Sequence, residues 1–552
     1  MQALFLAALI FLSAKVIGVF LAPLVGETAI RGVIAVFSAF AVFWQLTYVY
    51  RTLAMKRAVL LDGTVPHGLR IAMATTIVPS REFALLRDKL EGMLRVDACG
   101  NALDLWVLDE EDDARVRAMI DECNRRQGPR GARIRHFTRK GIERYNESPS
   151  GRRFKRFQAR QKGGNINAWL DSTRAERYDL VTFLDLDHIP VPAFYRKVLP
   201  YFRDEDVAFV QGPESFRNRD ENFVTRAASL ERDTFFGLIH RSYYGLGMPV
   251  IVGSHTTFRA TTFDVLDGFY PVHLTEDYLI MLRLRAARKR AVFVDDILAV
   301  GELPSTWAAY LGQQQRWASG GMDLLLRYFP RLWRSYTGKE RLFGFVLLNY
   351  YAWGSFFMLS KVVLFSLLLG GLTVRLEMGL IGAVGVFTLV AMVANHLWER
   401  QFFIERHRRS FLLENAVMNN FLGGLYFLSL LKAIAAPNTP FNVTAKSGAS
   451  ARPGARLVSY PVVAAVTVGF EVMALVVAWG WVFRAHASAG RYDIVAIPLV
   501  ISAGANLAIL IAYRQLECAR RPARLRLVRT DRGSSALPDP PAMDLEQRRR
   551  VS

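Results

Sequence analysis

The chain has 552 residues, 52% of them hydrophobic, and its mean hydropathy of +0.17 excludes a wholly soluble protein of this size. A formal charge of +21 would suit a nucleic-acid binder, but the Lys and Arg residues flank apolar runs and no nucleic-acid module is recognisable, so no nucleic acid is expected as a partner. Cys99, Cys123 and Cys518 are too few and too scattered for a disulfide framework or a zinc site.

A helix needs roughly 20 apolar residues to cross a bilayer, and runs of that kind stand at 3–22, 29–49, 343–370, 377–397, 459–483 and 494–513. Basic residues follow the second run (Arg51, Lys56, Arg57), the fourth (up to Arg409) and the sixth (Arg514 to Arg532). The positive-inside rule puts these sides, and both termini, in the cytosol. The first run lacks a charged leader and is long for a signal peptide, so an uncleaved anchor is expected. The boundaries that follow are 1–58 for two amino-terminal spans, 59–332 for a cytosolic domain, 333–514 for four further spans, and 515–552 for a basic, disordered cytosolic tail.

Within the cytosolic insert, Ile71 to Val78, Leu103 to Leu108, Leu180 to Leu186, Ala208 to Val210 and Ala291 to Val294 are short apolar runs bounded by turn residues, with charged helical stretches between several of them. The pattern predicts an α/β domain with a largely parallel sheet, whose ligand lies beyond the carboxyl ends of the strands.

In chain order, Asp109 ends the second of these strands and is placed to hydrogen-bond a nucleotide base or ribose, while Glu110 to Asp113 behind it read as a solvated acidic helix start. Lys162-Gly163-Gly164-Asn165-Ile166-Asn167 joins a basic stretch to a helix, and its glycines let backbone amides approach a phosphate or ribose; a plain Gly-Gly turn with a solvated lysine is the blander reading. Asp185-Leu186-Asp187 emerges from a strand with both carboxylates on one side. That suits Mg²⁺ or Mn²⁺ holding a diphosphate, with His188 as a further ligand or a turn cap. Thr275-Glu276-Asp277 opens a helix from Asp277 to Arg288, with Thr275 as N-cap and Asp277 as the candidate general base. Gln313, Arg316 and Trp317 lie on a helix from about Ser305 to Tyr328. Arg316 suits diphosphate oxygens and Trp317 a sugar face, on a segment that also reads as an interfacial amphipathic helix.

Acid, Lys-Gly-Gly-Asn, DxD, TED and QxxRW in this order, between apolar spans, resemble the processive branch of glycosyltransferase family 2, which includes bacterial cellulose synthase catalytic chains and, as relatives, hyaluronan and chitin synthases. The resemblance runs from about Leu69 to Tyr513. It implies a GT-A catalytic domain of α/β type inserted in a multi-span helical membrane domain with interfacial helices, a UDP-sugar donor, Mg²⁺ or Mn²⁺, and inversion at the anomeric carbon. Carried over, Asp109, Lys162, Asp185, Gln313 and Arg316 would hold the nucleotide-sugar, Asp185, Asp187 and His188 the metal, and Thr275, Glu276 and Asp277 would form the catalytic triplet. Trp317 would meet the acceptor. Phe441-Asn442-Val443-Thr444-Ala445-Lys446, within a Gly-, Ser- and Pro-containing stretch at 437–453, is similar to the FxVTxK gating loop of cellulose synthases, with Phe441, Val443, Thr444 and Lys446 as its motif positions.

Departures mark the chain too. Gly253-Ser254-His255 resembles the acceptor-site FFCGS motif, but Ile251 and Val252 replace its Phe and Cys positions; Gln314 stands where cellulose synthases carry Arg. Residues 515–552 are too few for a PilZ barrel, so cyclic di-GMP control would need a separate regulatory partner. The expected protein is a multi-pass enzyme of the bacterial inner membrane that polymerises UDP-glucose at the cytosolic face and passes the chain among its spans, along a polar and aromatic track at Asn349, Tyr350, Tyr351, Trp353, Lys361, Asn395 and Trp398. Its partners would be a UDP-sugar, a polysaccharide acceptor, membrane lipids and secretion proteins. A single-transfer enzyme acting on a lipid or carrier, another UDP-sugar, and a transporter with a regulatory cytosolic domain are the alternatives.

Overall fold

The computed structural model describes residues 42–58, 64–127, 132–142, 162–266, 273–356 and 412–435, with a few isolated positions beside them. Among these, strands β1 (Arg70–Ile77), β2 (Ala102–Asp109), β3 (Ile134–Phe137), β4 (Leu180–Leu184), β6 (Val207–Gln211), β8 (Thr256–Arg259) and β9 (Arg290–Phe293) form one sheet in the order β3-β2-β1-β4-β8-β6-β9. A small sheet of β5 (Ile189–Pro190), β10 (Ala299–Gly301) and β7 (Glu214–Phe216) stands apart from it.

All five strands expected from the sequence are present, and the sheet is largely parallel: β1 pairs parallel with β2 and β4, β2 with β3, and β6 with β9. The exception is β8, which runs antiparallel between β4 and β6. It escaped the pattern because Thr256-Thr257-Phe258-Arg259 is short and has a single apolar residue, Phe258. Its insertion is what carries the preceding Gly253-Ser254-His255 turn to the end of β4.

Strand periodicity divides the core. Ile71 and Met73 of β1 join Leu105, Val107, Leu184 and Val210 on one face, while Ala72 and Ala74 join Trp106, Leu108, Phe183 and Phe258 on the other. Helices α1 (Leu86–Leu94) and α2 (Ala114–Gln127) contribute Leu90, Met93, Val116 and Ile120 to the first layer. To the second, α3 (Lys162–Ser172) contributes Ile166 and Trp169. With both faces covered, the central strands read as continuous apolar runs rather than alternating ones.

Helix α4 (Phe223–Thr234) begins with a capping box in which the Asn222 side chain accepts from the backbone of Val224 and Thr225. Helix α5 (Glu276–Ala286) matches the expected position, and α6 (Trp307–Asp323) continues as a π-helical turn over Leu324–Tyr328. One face of α6, with Tyr310, Gln314, Ala318 and Met322, is buried, and α8 (Leu412–Ala435) packs along the helix. Helix α7 (Gly338–Leu348) has its own capping box of Thr337 and Glu340.

Among the described residues no helix is long and apolar enough to cross a membrane. The runs at 3–22, 459–483 and 494–513 lie outside the described residues, and those at 29–49, 343–370 and 377–397 are described only in part. The gating-loop positions Phe441, Val443, Thr444 and Lys446, with Lys361, Asn395 and the tail, are also outside them.

Trp169 is the largest fully buried side chain and packs against Trp106, Tyr178 and Phe183 with ring centroids 5.8, 6.1 and 6.0 Å away. Its indole N–H has no hydrogen-bond partner, so Trp169→Phe keeps most of the packing and removes an unsatisfied donor. Trp169→Ala is expected to cost about 3–5 kcal/mol, and Trp169→Phe much less. The thermal unfolding midpoints of the two purified variants check this ordering.

Candidate active site

The strand order reverses between β1 and β4, and a cavity of about 550 Å³ opens at the carboxyl ends of these two strands, lined by Ile77, Val78, Lys162, Asp185, Asp187 and His188 on this side. Glu276 and Asp277 line it from α5, and Gln313, Arg316 and Trp317 from α6. Motifs more than 150 residues apart therefore share one chamber.

Asp185 follows β4 directly, and its backbone N–H donates to Ser254 Oγ at 3.0 Å. Lys162 opens α3 and places Nζ 2.5 Å from Asp185 Oδ1, while also donating to the carbonyl of Gly253. The lysine is therefore not the solvated turn residue of the blander reading, and Gly163 and Gly164 lie buried in the first turn of α3 rather than in a loop. Burial opposes the charge on Asp185, but Lys162 holds its carboxyl below the usual range; the same ion pair lifts Lys162 above its own ordinary value against burial.

Asp185, Asp187 and His188 bring three candidate ligand atoms within 4.8 Å of one another. Both ring nitrogens of the buried His188 lack a hydrogen-bond partner; Nδ1 lies 3.5 Å from Asp187 and Nε2 3.7 Å from Glu214. Two carboxylates and an unpartnered imidazole are a donor set that fits a divalent cation with a diphosphate completing its shell. Beneath this turn lies Lys89 of α1, fully buried, whose Nζ donates to the carbonyls of Asp185 at 3.0 Å and His188 at 2.5 Å. Its signal was readable: Leu86, Lys89, Leu90 and Met93 make an apolar stripe at helical spacing with one lysine in it.

Glu276 and Asp277 occupy the first turn of α5, and a Cβ on Gly253 would sit 3.7 Å from a carboxylate oxygen of each. Burial pushes Asp277 up to about 6, against the attraction of Lys162 and Arg316, and pushes Glu276 up as well, aided by the neighbouring Asp277 charge. Arg316 answers these acids from α6; burial lowers its pKa, while Glu276, Asp185 and Asp277 act in the opposite sense. The Arg232 guanidinium lies 4.2 Å from the Trp317 ring centroid, a cation–π contact that leaves the indole at the cavity wall. Glu231, beside it in the chain, receives Tyr310 at 2.7 Å and Gln314 at 3.0 and 2.9 Å, and Gln314 in turn accepts from Tyr426 of α8. Gln314 is thus a strut between helices. Glu231 and Arg232 gave no signal in the sequence, because a Glu-Arg pair on a helix is ordinary until tertiary packing encloses it.

Several expected site residues are placed elsewhere. Asp109 is fully buried; its carboxylate accepts from the backbone N–H groups of Glu111, Asp112 and Asp113 at 2.9, 3.1 and 2.7 Å and lies 3.2 Å from His136 Nε2. It folds the turn after β2 and does not line the cavity, because a strand-end carboxylate with three backbone donors in reach is satisfied locally. Glu110, expected to be solvated, lines the cavity and is paired with Arg139. Gly253 reaches the cavity, but Ser254 and His255 are buried under its floor, His255 Nε2 lying 2.9 Å from the Gly212 carbonyl, so neither touches an acceptor there. Thr275 occupies the N-cap position without capping: its side chain turns to His273. Of the aromatic track, Tyr350 and Tyr351 line the cavity, Trp353 stacks on Trp44 at 5.8 Å, and Trp398 is exposed.

Comparison with known proteins agrees with this chemistry. Residues 180–395 match the family described as Glycosyl transferase family group 2. Over 168 residues the chain is 30% identical to a UDP-forming cellulose synthase catalytic chain of Dictyostelium discoideum, a match spanning 30% of this chain and 16% of that relative's length. Among solved structures, a mannosyltransferase from Pyrobaculum calidifontis, in complex with GDP-Man and Mn²⁺, is 15% identical with a TM-score of 0.47, covering 77% of this chain and all of that one. Glucosyl-3-phosphoglycerate synthase from Mycobacterium tuberculosis is 18% identical with a TM-score of 0.28, covering 43% of this chain and 72% of that one. Residues 180–395 therefore carry a glycosyltransferase family 2 domain match within an α/β fold, and over part of its length the chain is similar to a cellulose synthase catalytic chain.

The donor set predicts a measurable cation. Mn²⁺ titrated into the purified protein should bind, read by loss of the free-ion electron paramagnetic resonance signal, and Asp187→Ala should weaken that binding by about 10-fold or more.

Proposed function

We propose that the protein is a membrane-embedded, processive, inverting glycosyltransferase that uses a UDP-sugar, with UDP-glucose the first choice, to extend a β-glucan and pass it across the bacterial inner membrane. The observation that carries this reading is the convergence of Lys162, Asp185, Asp187, Asp277, Arg316 and Trp317 on one cavity that continues to Tyr350 and Tyr351. A nucleotide-binding domain that only regulated a transporter would have no need of a raised, half-buried carboxylate sharing a cavity with a DxD pair. The similarity to a UDP-forming cellulose synthase supports the donor class and the β-glucan product, and the apolar runs flanking the domain support the membrane setting.

In the proposed reaction the acceptor hydroxyl oxygen forms the new bond to the anomeric carbon from the side opposite the diphosphate. Its proton passes to the Asp277 carboxylate, and the bond from the anomeric carbon to the diphosphate oxygen breaks with its electron pair leaving on UDP. A divalent cation held by Asp185, Asp187 and His188 would offset the charge that develops on that diphosphate. Lys162 and Arg316 supply fixed positive charge around the same leaving group, in a chamber whose low dielectric strengthens the attraction. Trp317 offers its indole face to the acceptor sugar, and Gly253 leaves room beside the acids that any side chain would occupy.

Purified protein in lipid nanodiscs, supplied with Mn²⁺ and radiolabelled UDP-sugars one at a time, should convert one donor to a high-molecular-weight product that a linkage-specific glycosidase digests. A short lipid-linked product would instead establish a single-transfer enzyme. Asp277→Asn should lower turnover by about 10³-fold or more while UDP affinity stays within a few-fold.

The base must be deprotonated to work, so a raised Asp277 pKa shifts the acid limb of the rate upward. Turnover should fall about 10-fold per pH unit below about 6, the value to which burial pushes this carboxyl. A rate that stays level down to pH 4 would remove Asp277 from the role of base.

A further inference from the structure

The chain reaches the catalytic triplet through His273, Leu274 and Thr275, and this step is clamped by the carboxyl-terminal half of α6. The backbone N–H of Thr275 donates to His273 Nδ1 at 3.1 Å, and the Thr275 hydroxyl lies 3.2 Å from the same nitrogen. A ring nitrogen that accepts from a backbone N–H carries no proton of its own, so the imidazole proton sits on Nε2. That nitrogen lies 2.9 Å from Asp323 Oδ2 and donates to it. The other Asp323 oxygen takes Arg327, one helical turn on, and a second Arg327 nitrogen donates at 2.8 Å to the carbonyl of Ala433 in α8. The His273 ring is held edge-on by Tyr328, with centroids 5.3 Å apart. On the other side of Thr275 is Gly320 of α6, where a Cβ would lie 2.6 Å from the threonine Cγ2.

Within the triplet the Thr275 carbonyl accepts from the Leu279 N–H at 3.2 Å and Asp277 Oδ1 from the Tyr278 N–H at 2.8 Å, contacts internal to α5; the Thr275 side chain does not cap the helix but turns to His273, the contact that ties this first turn to the loop before it. We infer that His273 and Asp323 form a positioning pair that orients the Thr275-Glu276-Asp277 turn, fixing the direction of the Asp277 carboxylate and tying it, through Arg327, to the packing of α8 on α6. The inference rests on Asp277 being the base. A base acts only within hydrogen-bond reach of the acceptor hydroxyl, and a displacement of about 1 Å is enough to cost on the order of 10²-fold in rate. His273 and Asp323 act on the reaction only through that placement. They leave the diphosphate side of the cavity, built from Lys162, Asp185 and Asp187, as it is.

The two ring nitrogens have separate duties, and substitution separates them. Asn at position 273 presents an acceptor oxygen where Nδ1 stood, whereas Gln presents its polar end near the Nε2 position and leaves Thr275 without an acceptor. His273→Gln should therefore lower kcat by about 10²-fold with UDP affinity unchanged, while His273→Asn and Asp323→Ala, which keep an acceptor facing Thr275 and lose the link between the ring and α6, should each retain kcat within about 10-fold of the wild type. The measurement is steady-state donor turnover in nanodiscs alongside UDP binding by calorimetry and the thermal midpoint of each variant. Equal losses in His273→Asn and His273→Gln, or a loss of UDP affinity or thermal midpoint in step with kcat, would show a merely structural role and overturn the inference. Full turnover in His273→Gln would overturn it while leaving the transferase reading intact, and a wild-type protein with no turnover on any donor would overturn both.

Discussion

The structure of the site depends on one arrangement of charge: a buried lysine set between carboxylates that could not otherwise share a cavity. Lys162 bonds Asp185 and the Gly253 carbonyl, and its charge reaches Glu276 and Asp277 as well. Four acids brought together in a low-dielectric chamber repel one another by several kcal/mol unless cations are threaded among them. Lys162 from α3 and Arg316 from α6 meet that need from opposite walls, and Lys89 meets it from below by binding the backbone of the metal turn. The helix that carries Lys162 has its first turn buried, which is where a pair of glycines allows α3 to lie close to the sheet.

The compensation is incomplete, and that has a chemical consequence. Asp185 stays low because Lys162 touches it, while Glu276 and Asp277, which feel the same lysine from further off, are pushed up by burial. Carboxylates with opposite shifts in one cavity are suited to different work: Asp185, held charged, for a cation and its diphosphate, and a carboxylate pushed toward neutrality for moving a proton. The direct Lys162–Asp185 ion pair is what separates Asp185 from the two acids of α5.

Much of the fold was legible in the residues. Strands β1, β2, β4, β6 and β9 announce themselves as apolar runs because strands covered on both faces have no polar side to show. The DxD turn was legible too, not by itself but through its place in the ordered series of motifs. Some side-chain directions were not legible. Asp109 ends a strand at the edge of the sheet where the cavity lies, yet its carboxylate is taken by three backbone N–H groups of the turn that follows. Ser254 and His255 adjoin Gly253 in sequence, but the turn that leads into β8, antiparallel to β4, leaves the glycine partly exposed and buries its neighbours. Gln314, one residue from Gln313, points away from the cavity because a helix rotates about 100° per residue.

The sequence by itself indicated the class of chemistry and the order of the parts: an α/β domain, a DxD after a strand, a TED triplet opening a helix and a QxxRW helix, set between apolar runs. These are properties of residue type and local spacing, and one strand or one helix is enough to express them. Tertiary structure alone decided which groups share a charge environment. Lys89 beneath the DxD turn, Glu231 bonded to Tyr310 and Gln314, Gln314 bonded to Tyr426, and the His273–Asp323 pair each join segments from 50 to 112 residues apart. No local pattern encodes such contacts, because they arise only when separate elements pack and water is removed from between them.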